Sequence, residues 1–290
     1  MSGNIVILAG GISSRMKKSV LQNGLTDNKI AEEAGYKSKM MLGVGEANRP
    51  FLDYLIYNSI QAGYDEIVIL VNDKDKLIRK YYQGKKDSLY KTGVKLSFAV
   101  QNIPADRSKP LGTADALLQA LNQRNDWVNK KFTVCNSDNL YSVGAMKTLL
   151  NSSYPNSMID YDRTALGFET NKIMKFAVIR KDENNYLVDI IEKPSPEEMR
   201  KVEDATGRIG VSMNIFRFSY NNILPFLEKT PLHPERHEKD IPEAVRLLIK
   251  AKPNSVITYE RSEFVPDLTE KNDIADVMEF LKKNKIDLSF

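Results

Sequence analysis

The sequence predicts an α/β fold, a three-layer sandwich with a mostly parallel, mixed central sheet and helices on both faces. Short apolar runs alternate with segments of helical periodicity through the first half of the chain. The first run, residues 5–8, stops abruptly at a Gly-Gly pair. Alternation of this kind is typical of βα units, whose strands pair in parallel.

Each element of the first half follows from its local pattern. Strand-like, mostly apolar runs predict strands at residues 5–8, 66–71, 95–100 and 132–135. Helices are predicted at residues 51–62, where apolar residues recur at helical spacing, at the polar segment 75–82, and at 113–121, which Thr113 can cap. Strands buried on both faces of a parallel sheet are apolar throughout, whereas a helix buries only one stripe.

The second half has a different rhythm. Strand-like segments at residues 165–169, 176–180, 187–192 and 210–218 are closely spaced and separated by turn residues, and helices are predicted at residues 241–250 and 273–283. We expect antiparallel or mixed strands that extend the same sheet. The prediction is one domain over residues 1–290, with one lobe at 1–150 and a second at 151–290 on the other side of a cleft.

Composition excludes several classes of protein. The 290 residues are 42% hydrophobic and 28% charged, with a net charge of +4 and scattered lysines. This balance suits an anionic small substrate and gives no case for nucleic acid. The single cysteine, Cys135, excludes a disulfide framework and predicts a buried, inert thiol. No apolar segment reaches the length of a membrane span and no signal peptide is visible, so we expect a cytoplasmic protein without a membrane partner.

The loop after the first strand carries the strongest signal for function. Gly10 and Gly11 let backbone N–H groups approach a ligand, Ser13 and Ser14 add hydroxyl donors, and Arg15 supplies a fork suited to phosphate oxygens. The spacings of the P-loop and of the dinucleotide-binding fingerprint are both absent. The pattern predicts a different type of polyphosphate-binding loop.

Residues 8–16, Leu-Ala-Gly-Gly-x-x-Ser-Arg-Met, resemble the opening loop of the nucleotidyltransferases that activate sugar phosphates, and of relatives that handle molybdopterin or phosphocholine. Further motifs follow in the family's order: a lysine ahead of Arg-Pro-Phe-Leu, a Leu-Gly-Thr-Ala turn, an Asp-Asn after a buried strand, and Glu-Lys-Pro. The resemblance extends roughly from residue 5 to residue 273. It implies the Rossmann-like fold of the nucleotide-diphospho-sugar transferase type, with a nucleotide-binding lobe at 1–150 and an acceptor-binding lobe with the C-terminal helices at 151–290.

The resemblance also implies roles for the matching residues. Arg15 would hold the β- and γ-phosphates, Lys39 would stabilise charge on the α-phosphate, and Asp138 would bind Mg²⁺. Asp267 is the implied second metal ligand, while its neighbour Asp273 is better suited to cap the last helix. The nucleotide would be held by Leu8, Ala9, Gly10, Gly11, Ser13, Ser14, Gln101, Gly112 and Thr113, and the acceptor by Glu192, Lys193 and Asn214.

The chain departs from the family pattern at several positions. Ser38 and Gly43 replace two prolines around Lys39, Ser137 replaces the glycine before Asp138, and Phe264 stands near the position of a tryptophan. Asn214 replaces a glycine whose backbone lies against the sugar. A side chain there would reshape the acceptor pocket, which favours an acceptor other than glucose 1-phosphate.

The predicted activity is a Mg²⁺-dependent transfer of a nucleoside monophosphate from an NTP to a phosphorylated small molecule, a sugar 1-phosphate above all, with release of pyrophosphate. The alternatives are transfer to another phosphate such as phosphocholine, a glycosyltransferase that consumes nucleotide sugars, and a non-catalytic nucleotide sensor. The base, the acceptor and the oligomeric state, a homo-oligomer included, stay open.

Two polar segments have open readings. Residues 17–37 predict either a lid over the nucleotide or a solvated surface excursion. His233 and His237 are four residues apart, but Pro234 lies between them and no third ligand is evident, so a solvated loop is predicted rather than a metal site.

Overall fold

The computed structural model describes residues 3–19, 28–168, 170–174, 176–286 and 288. The strands within these ranges are β1 Asn4–Leu8, β2 Glu66–Asn72, β3 Lys95–Gln101, β4 Lys131–Asn136, β5 Ser157–Asp162, β6 Ala177–Lys181, β7 Leu187–Ile191, β8 Gly210–Ser212, β9 Ile215–Ser219 and β10 Ile257–Arg261. The α-helices are α1 Ser14–Lys18, α2 Asn28–Glu33, α3 Phe51–Ala62, α4 Leu77–Gly84, α5 Lys86–Lys91, α6 Thr113–Asn122, α7 Val143–Leu150, α8 Thr170–Ile173, α9 Pro196–Val202, α10 Tyr220–Lys229, α11 Ile241–Ala251 and α12 Asp273–Asn284.

The strands of the first half are parallel and adjacent, in the order β3-β2-β1-β4. Leu8, the last residue of β1, lies opposite Leu70 on one side and Asn136 on the other. The carboxyl ends of all four strands therefore meet at one edge of the sheet. The chain order reverses between β1 and β4, and open α/β sheets bind ligands at such a reversal.

Two apolar cores lie on opposite faces of this sheet. Along β1, Ile5 and Ile7 point into the core under α3, α7 and α12, while Val6 and Leu8 point into the core under α6, α10 and α11. Alternate residues of a strand face opposite sides, so a strand that is apolar throughout needs a helical layer on each side. The predicted three-layer fold with a mixed central sheet is confirmed.

The sheet continues into the second half by antiparallel pairing. β9 pairs with β4, and β5 pairs with both β9 and β8. β8 pairs with β6, and β6 pairs with β7. The break between β8 and β9 falls at Met213 and Asn214, where Asn214 has φ 54°. β8 and β9 both pair with β5 along one edge, but the other edge of β8 pairs with β6 and that of β9 pairs with β4. The sheet therefore forks at this break.

Two strand predictions were wrong in detail. Residues 163–166 form a 3₁₀ helix that ends at Gly167, which has φ 69°, so residues 165–168 of the strand predicted at 165–169 are not a strand, and residue 169 lies outside the described residues. The strand of this region lies earlier, at β5, where Ser-Met-Ile-Asp-Tyr-Asp lacks a continuous apolar run although most of it is buried. Residues 210–218, predicted as one strand, contain both β8 and β9. The polar residue that interrupts the apolar run, Asp160, is buried through ion pairs with Lys181 and Arg208, and a local pattern does not reveal such distant partners.

Part of the polar segment 17–37 lies outside the described residues, at 20–27. Its described flanks end α1 and form α2. The choice between a lid and a surface excursion stays a prediction. Among the residues that the structure describes, no helix combines the length and the apolar character needed to cross a bilayer.

A buried carboxylate joins α3 to α4. Asp53 is fully buried and accepts hydrogen bonds of 2.8 Å from both Tyr81 and Tyr82, and its carboxylate is 2.8 Å from Nε of Arg49. Removing one member of a buried ionic and hydrogen-bonded cluster is costly because the other members stay desolvated.

We expect Asp53→Asn to lower the free energy of unfolding by about 2–4 kcal/mol. The amide keeps the shape of the side chain but removes its charge and one of its two acceptors. Urea unfolding followed by circular dichroism measures the change. Asp106→Asn, at an exposed position, is the matched control and should stay within about 0.5 kcal/mol of the wild type. An equal effect of the two substitutions would contradict this account.

Cys135 should be chemically inert in the folded protein. Burial raises the pKa of its thiol, and the charge of Asp138 adds to the effect, so the thiolate is scarce at pH 8. We expect no reaction of the native protein with a thiol-specific chromogenic disulfide and one equivalent of reaction in denaturant. Fast labelling of the native state would show that Cys135 is accessible.

Candidate active site

A cavity of about 290 Å³ opens at the carboxyl edge of the parallel strands. Its walls come from the loop after β1, the 3₁₀ turn Lys39–Met41, the end of β3, the turn before α6 and the residues after β4. Most of the residues predicted to hold the nucleotide line it: Leu8, Gly10, Gly11, Ser13, Ser14, Arg15, Lys39, Gln101, Gly112, Thr113 and Asp138. Ala9 is buried just behind them.

The two glycines of the loop have different surroundings. A Cβ on Gly10 would lie 2.9 Å from Oε1 of Gln101, so the glycine lets that side chain approach the loop. A Cβ on Gly11 would meet no atom within 4 Å, which leaves open space toward the cavity. Ser13 then turns the chain with φ 56°, a left-handed conformation, before α1 begins. Strained residues of this kind cluster at binding sites.

Lys39 connects this loop to the end of β4. Its backbone N–H donates to Oγ of Ser13 at 3.1 Å, and its ammonium lies 2.5 Å from Oδ2 of Asp138. Burial alone would raise the pKa of Asp138, but the charge and hydrogen bond of Lys39 outweigh it and hold that pKa below its usual range. Asp138 is therefore an ionised carboxylate at neutral pH.

The second predicted metal ligand lies beside the first. The backbone of Asp138–Leu140 pairs with that of Pro266–Leu268 through Leu268 N–H to Asp138 O at 2.8 Å and Leu140 N–H to Pro266 O at 2.9 Å. Burial raises the pKa of Asp267, and repulsion from Asp138 adds to it. The backbone pairing therefore brings the two aspartates to the same end of the site.

The donor chemistry of this pair fits Mg²⁺. The ion prefers hard oxygen ligands and is commonly held by one or two carboxylates together with substrate phosphates. Asp138 and Asp267 supply that number, and no group of three or more His, Cys, Asp or Glu residues with metal-binding geometry occurs within the described ranges. The assignment of both residues as metal ligands stays a prediction.

Gln101 has a fixed orientation at the nucleoside end of the cavity. It is 1% exposed, and its amide nitrogen donates to Asp115 at 2.8 Å and to the carbonyl of Gly112 at 3.2 Å. An ionised carboxylate only accepts hydrogen bonds, so the amide nitrogen must face Asp115 and the oxygen must face Gly10. Gln101 therefore offers an acceptor to whatever fills the cavity.

The turn before α6 is held by a distant segment of the chain. Gly112 has φ 113°, and a Cβ there would lie 2.3 Å from the carbonyl oxygen of Lys239. Lys239 also exchanges backbone hydrogen bonds with Leu111 and Ala114 at 2.7 and 2.8 Å. Thr113 does not cap α6 as predicted, since Gly112 is the capping residue and the Thr113 hydroxyl accepts the N–H of Ile241 at 3.0 Å.

The predicted acceptor residues lie outside this cavity. Glu192 lines a neighbouring cavity of about 470 Å³, and Glu238 and Asp240 line both. The carboxylate of Glu192 is bound by Arg236 at 2.7 Å. The side chain of Lys193 is 69% exposed, with Glu235 at 3.9 Å as its ionic neighbour. The structure thus places these residues next to the nucleotide cavity but not in it.

The backbone conformation of Asn214 explains why asparagine can stand at the fork of the sheet, where the family pattern has glycine. Its φ of 54° lies in the left-handed region, which asparagine tolerates better than most residues other than glycine. Its N–H donates to Oγ of Ser212 at 3.3 Å. The replacement is therefore compatible with the backbone conformation, and its effect on the acceptor stays a prediction.

Comparison with known proteins decides the family. The family model described as Nucleotidyl transferase matches residues 33–284, most of the chain. This protein belongs to that family. The match begins after the glycine loop, so the family assignment does not depend on that loop.

Individual relatives of this nucleotidyl transferase are distant. It is 24% identical over 239 residues to the bifunctional protein GlmU of Methanococcus vannielii, covering 82% of this chain and about half, 49%, of the archaeal protein's length. It is 23% identical over 192 residues to the D-glycero-α-D-manno-heptose 1-phosphate guanylyltransferase of Campylobacter jejuni, covering 65% of this chain and 67% of that protein. The crystal structure of a UDP-glucose pyrophosphorylase complexed with UDP-glucose has the same fold, with a TM-score of 0.69, 17% identity and coverage of 98% and 100% of the two chains.

Several residues of this site were not predicted. Lys109 lines the nucleotide cavity two residues before the Leu-Gly-Thr-Ala turn, so its position next to a motif was an available signal. Glu238 and Asp240 line it from a segment predicted only as a solvated loop. Within that segment, Nδ1 of His233 accepts the N–H groups of Glu235 and Arg236 at 3.2 and 3.3 Å, so this imidazole stabilises its own turn.

Gly112→Ala should destabilise this nucleotidyl transferase. The new Cβ would combine an unfavourable φ with a clash against Lys239 backbone, for a loss of about 2 kcal/mol or more in the free energy of unfolding. Gly11→Ala is the matched control, because its Cβ would enter open space, and it should change stability by less than about 0.5 kcal/mol. Equal unfolding midpoints for the two variants in urea would refute the packing argument.

Proposed function

We propose that this protein is a sugar-phosphate nucleotidyltransferase, which joins the nucleoside monophosphate of an NTP to a sugar 1-phosphate and releases pyrophosphate. The observation that carries the proposal is the contact of Lys39 with both the glycine loop and Asp138, with Asp267 alongside. Cations, backbone donors and a pair of carboxylates thus converge at the switch point of the sheet. The names of the relatives, which include a heptose 1-phosphate guanylyltransferase and a UDP-glucose pyrophosphorylase, support a sugar phosphate as acceptor.

The chemistry needs positioning and charge neutralisation rather than a covalent intermediate. A phosphate oxygen of the acceptor attacks the α-phosphorus in line, one P–O bond forms, the α–β bridging P–O bond breaks, and pyrophosphate leaves with the electron pair. Arg15 and the loop N–H groups would hold the β- and γ-phosphates. Lys39 would then stabilise the charge that develops on the α-phosphate.

The remaining residues would divide the work between the two substrates. Gln101 and the backbone of the Gly112 turn would hold the nucleoside, since both face the cavity. Glu192 would bind acceptor hydroxyls after its ion pair with Arg236 breaks, and Lys193 would lie near the acceptor phosphate. Asp138 and Asp267 would hold Mg²⁺, which when bound neutralises phosphate charge and orients the triphosphate.

A pyrophosphate-release assay of four NTPs against a panel of phosphorylated sugars and phosphocholine tests the proposal. At least one pair of NTP and sugar 1-phosphate should release pyrophosphate. Asp138→Asn should lower kcat on that pair by on the order of 10³-fold, because a charged ligand of the Mg²⁺ that would neutralise the phosphates is lost. Lys147→Met, at an exposed position on α7, should leave kcat unchanged.

Different outcomes separate the alternatives. Release of nucleoside diphosphate from a nucleotide sugar would identify a glycosyltransferase, and turnover with phosphocholine alone would replace the sugar acceptor. Tight NTP binding without any turnover would indicate a sensor. Near-normal kcat in Asp138→Asn would refute the assignment of this carboxylate. The melting temperature of Asp138→Asn must be close to that of the wild type before its loss of activity is attributed to catalysis and not to unfolding.

A further inference from the structure

Lys172, on the short helix α8, reaches the candidate metal site from the second lobe. Its ammonium lies 3.0 Å from Oδ2 of Asp267 and 2.7 Å from Oδ1 of Asp273. It also lies over the ring of Phe168, 4.4 Å from the centroid, and Phe168 packs against Phe264 with 5.6 Å between ring centroids. No sequence motif singled out this lysine.

The two carboxylates that Lys172 contacts differ in how firmly hydrogen bonds hold each of them in place. Oδ2 of Asp273 accepts the N–H groups of Thr269 and Glu270 at 2.8 and 2.6 Å, which fixes this side chain at the start of α12. Oδ1 of Asp267 accepts a hydrogen bond from the hydroxyl of Thr269 at 2.8 Å, and its other oxygen, Oδ2, contacts the ammonium of Lys172. Lys172 can therefore leave Asp267 and still keep an ionic partner at Asp273.

Each candidate metal ligand is thus held by one lysine from a separate segment, Asp138 by Lys39 and Asp267 by Lys172. The ammonium of Lys172 occupies one of the two oxygens through which Asp267 would coordinate a cation. A divalent ion bound there would lie within a few ångströms of that ammonium, where like charges repel strongly. Repulsion between the two positive charges therefore makes the lysine and the metal ion compete for this carboxylate.

We propose that Lys172 is a positioning residue that competes with the divalent cation for Asp267, so that the cation binds weakly until the phosphates of the NTP contribute ligands. The inference rests on the metal site of the proposed function. Asp273 retains the lysine when Asp267 turns to the metal. The competition makes metal loading dependent on substrate.

Direct titration of the protein with Mn²⁺ alone, without nucleotide, tests this inference. Electron paramagnetic resonance of the free ion reports the bound fraction. Lys172→Met should bind Mn²⁺ about tenfold more tightly than the wild type, because the competing charge is gone. Lys172→Arg keeps the charge and should bind as weakly as the wild type. Lys172→Gln provides a second neutral variant with a polar side chain.

Lys181→Met is the matched control. Lys181 also bridges two carboxylates of the second lobe, Asp160 and Glu260, and is comparably covered, but neither partner belongs to the candidate site. Its Mn²⁺ affinity should equal that of the wild type. The apparent Mg²⁺ requirement for pyrophosphate release should fall in Lys172→Met and stay constant in Lys181→Met.

Two results would overturn separate parts of the account. Equal or weaker Mn²⁺ binding by the folded Lys172→Met and Lys172→Gln variants would rule out competition and leave Lys172 with a structural role. Unchanged Mn²⁺ binding by Asp138→Asn and Asp267→Asn would show that the metal site itself is misplaced, whatever the lysine variants do.

Discussion

The ion pair between Lys39 and Asp138 is the contact on which the arrangement of the site depends. Lys39 belongs to a 3₁₀ turn that the glycine loop anchors through Ser13, while Asp138 follows the central strand β4. The pair therefore joins the glycine loop to the candidate metal ligands. It forms because β1 and β4 are parallel neighbours whose carboxyl ends meet at one edge. Because the charge and hydrogen bond of Lys39 outweigh the cost of burying Asp138, the pKa of this carboxyl stays low and the group stays ionised.

The second lobe contributes through segments that have no recognisable motif. Lys239 packs against the Gly112 turn and fixes the nucleoside end of the cavity, and Arg236 in the same segment binds Glu192. One stretch of chain thus touches the residues proposed for both substrates. Lys172 brings a cation to Asp267 from a segment 95 positions earlier in the chain. Contacts between segments that are distant in the sequence complete the candidate site.

Prediction from sequence worked where the local pattern and the tertiary environment agree. The strands β1, β2 and β4 are mostly apolar in their buried centres because helices cover both faces of the sheet, and the helix at Phe51–Ala62 has the predicted bounds. It failed at β5, whose polar residues are buried by neighbours far away in sequence. Thr113 was misassigned as a helix cap for the same reason, since its hydroxyl partner is Ile241, 128 positions further along the chain.

The sequence by itself determined the α/β class, the family resemblance and the residues that surround the phosphate loop, because each of these depends on short runs of adjacent residues. Tertiary structure alone decided that Lys172 contacts Asp267, that Lys239 packs on Gly112, and that Glu192 lines a cavity beside the one at the glycine loop. The physical reason is distance along the chain. Charge pairing and steric fit act through space, and no local pattern of residues encodes a partner that lies far away in the sequence.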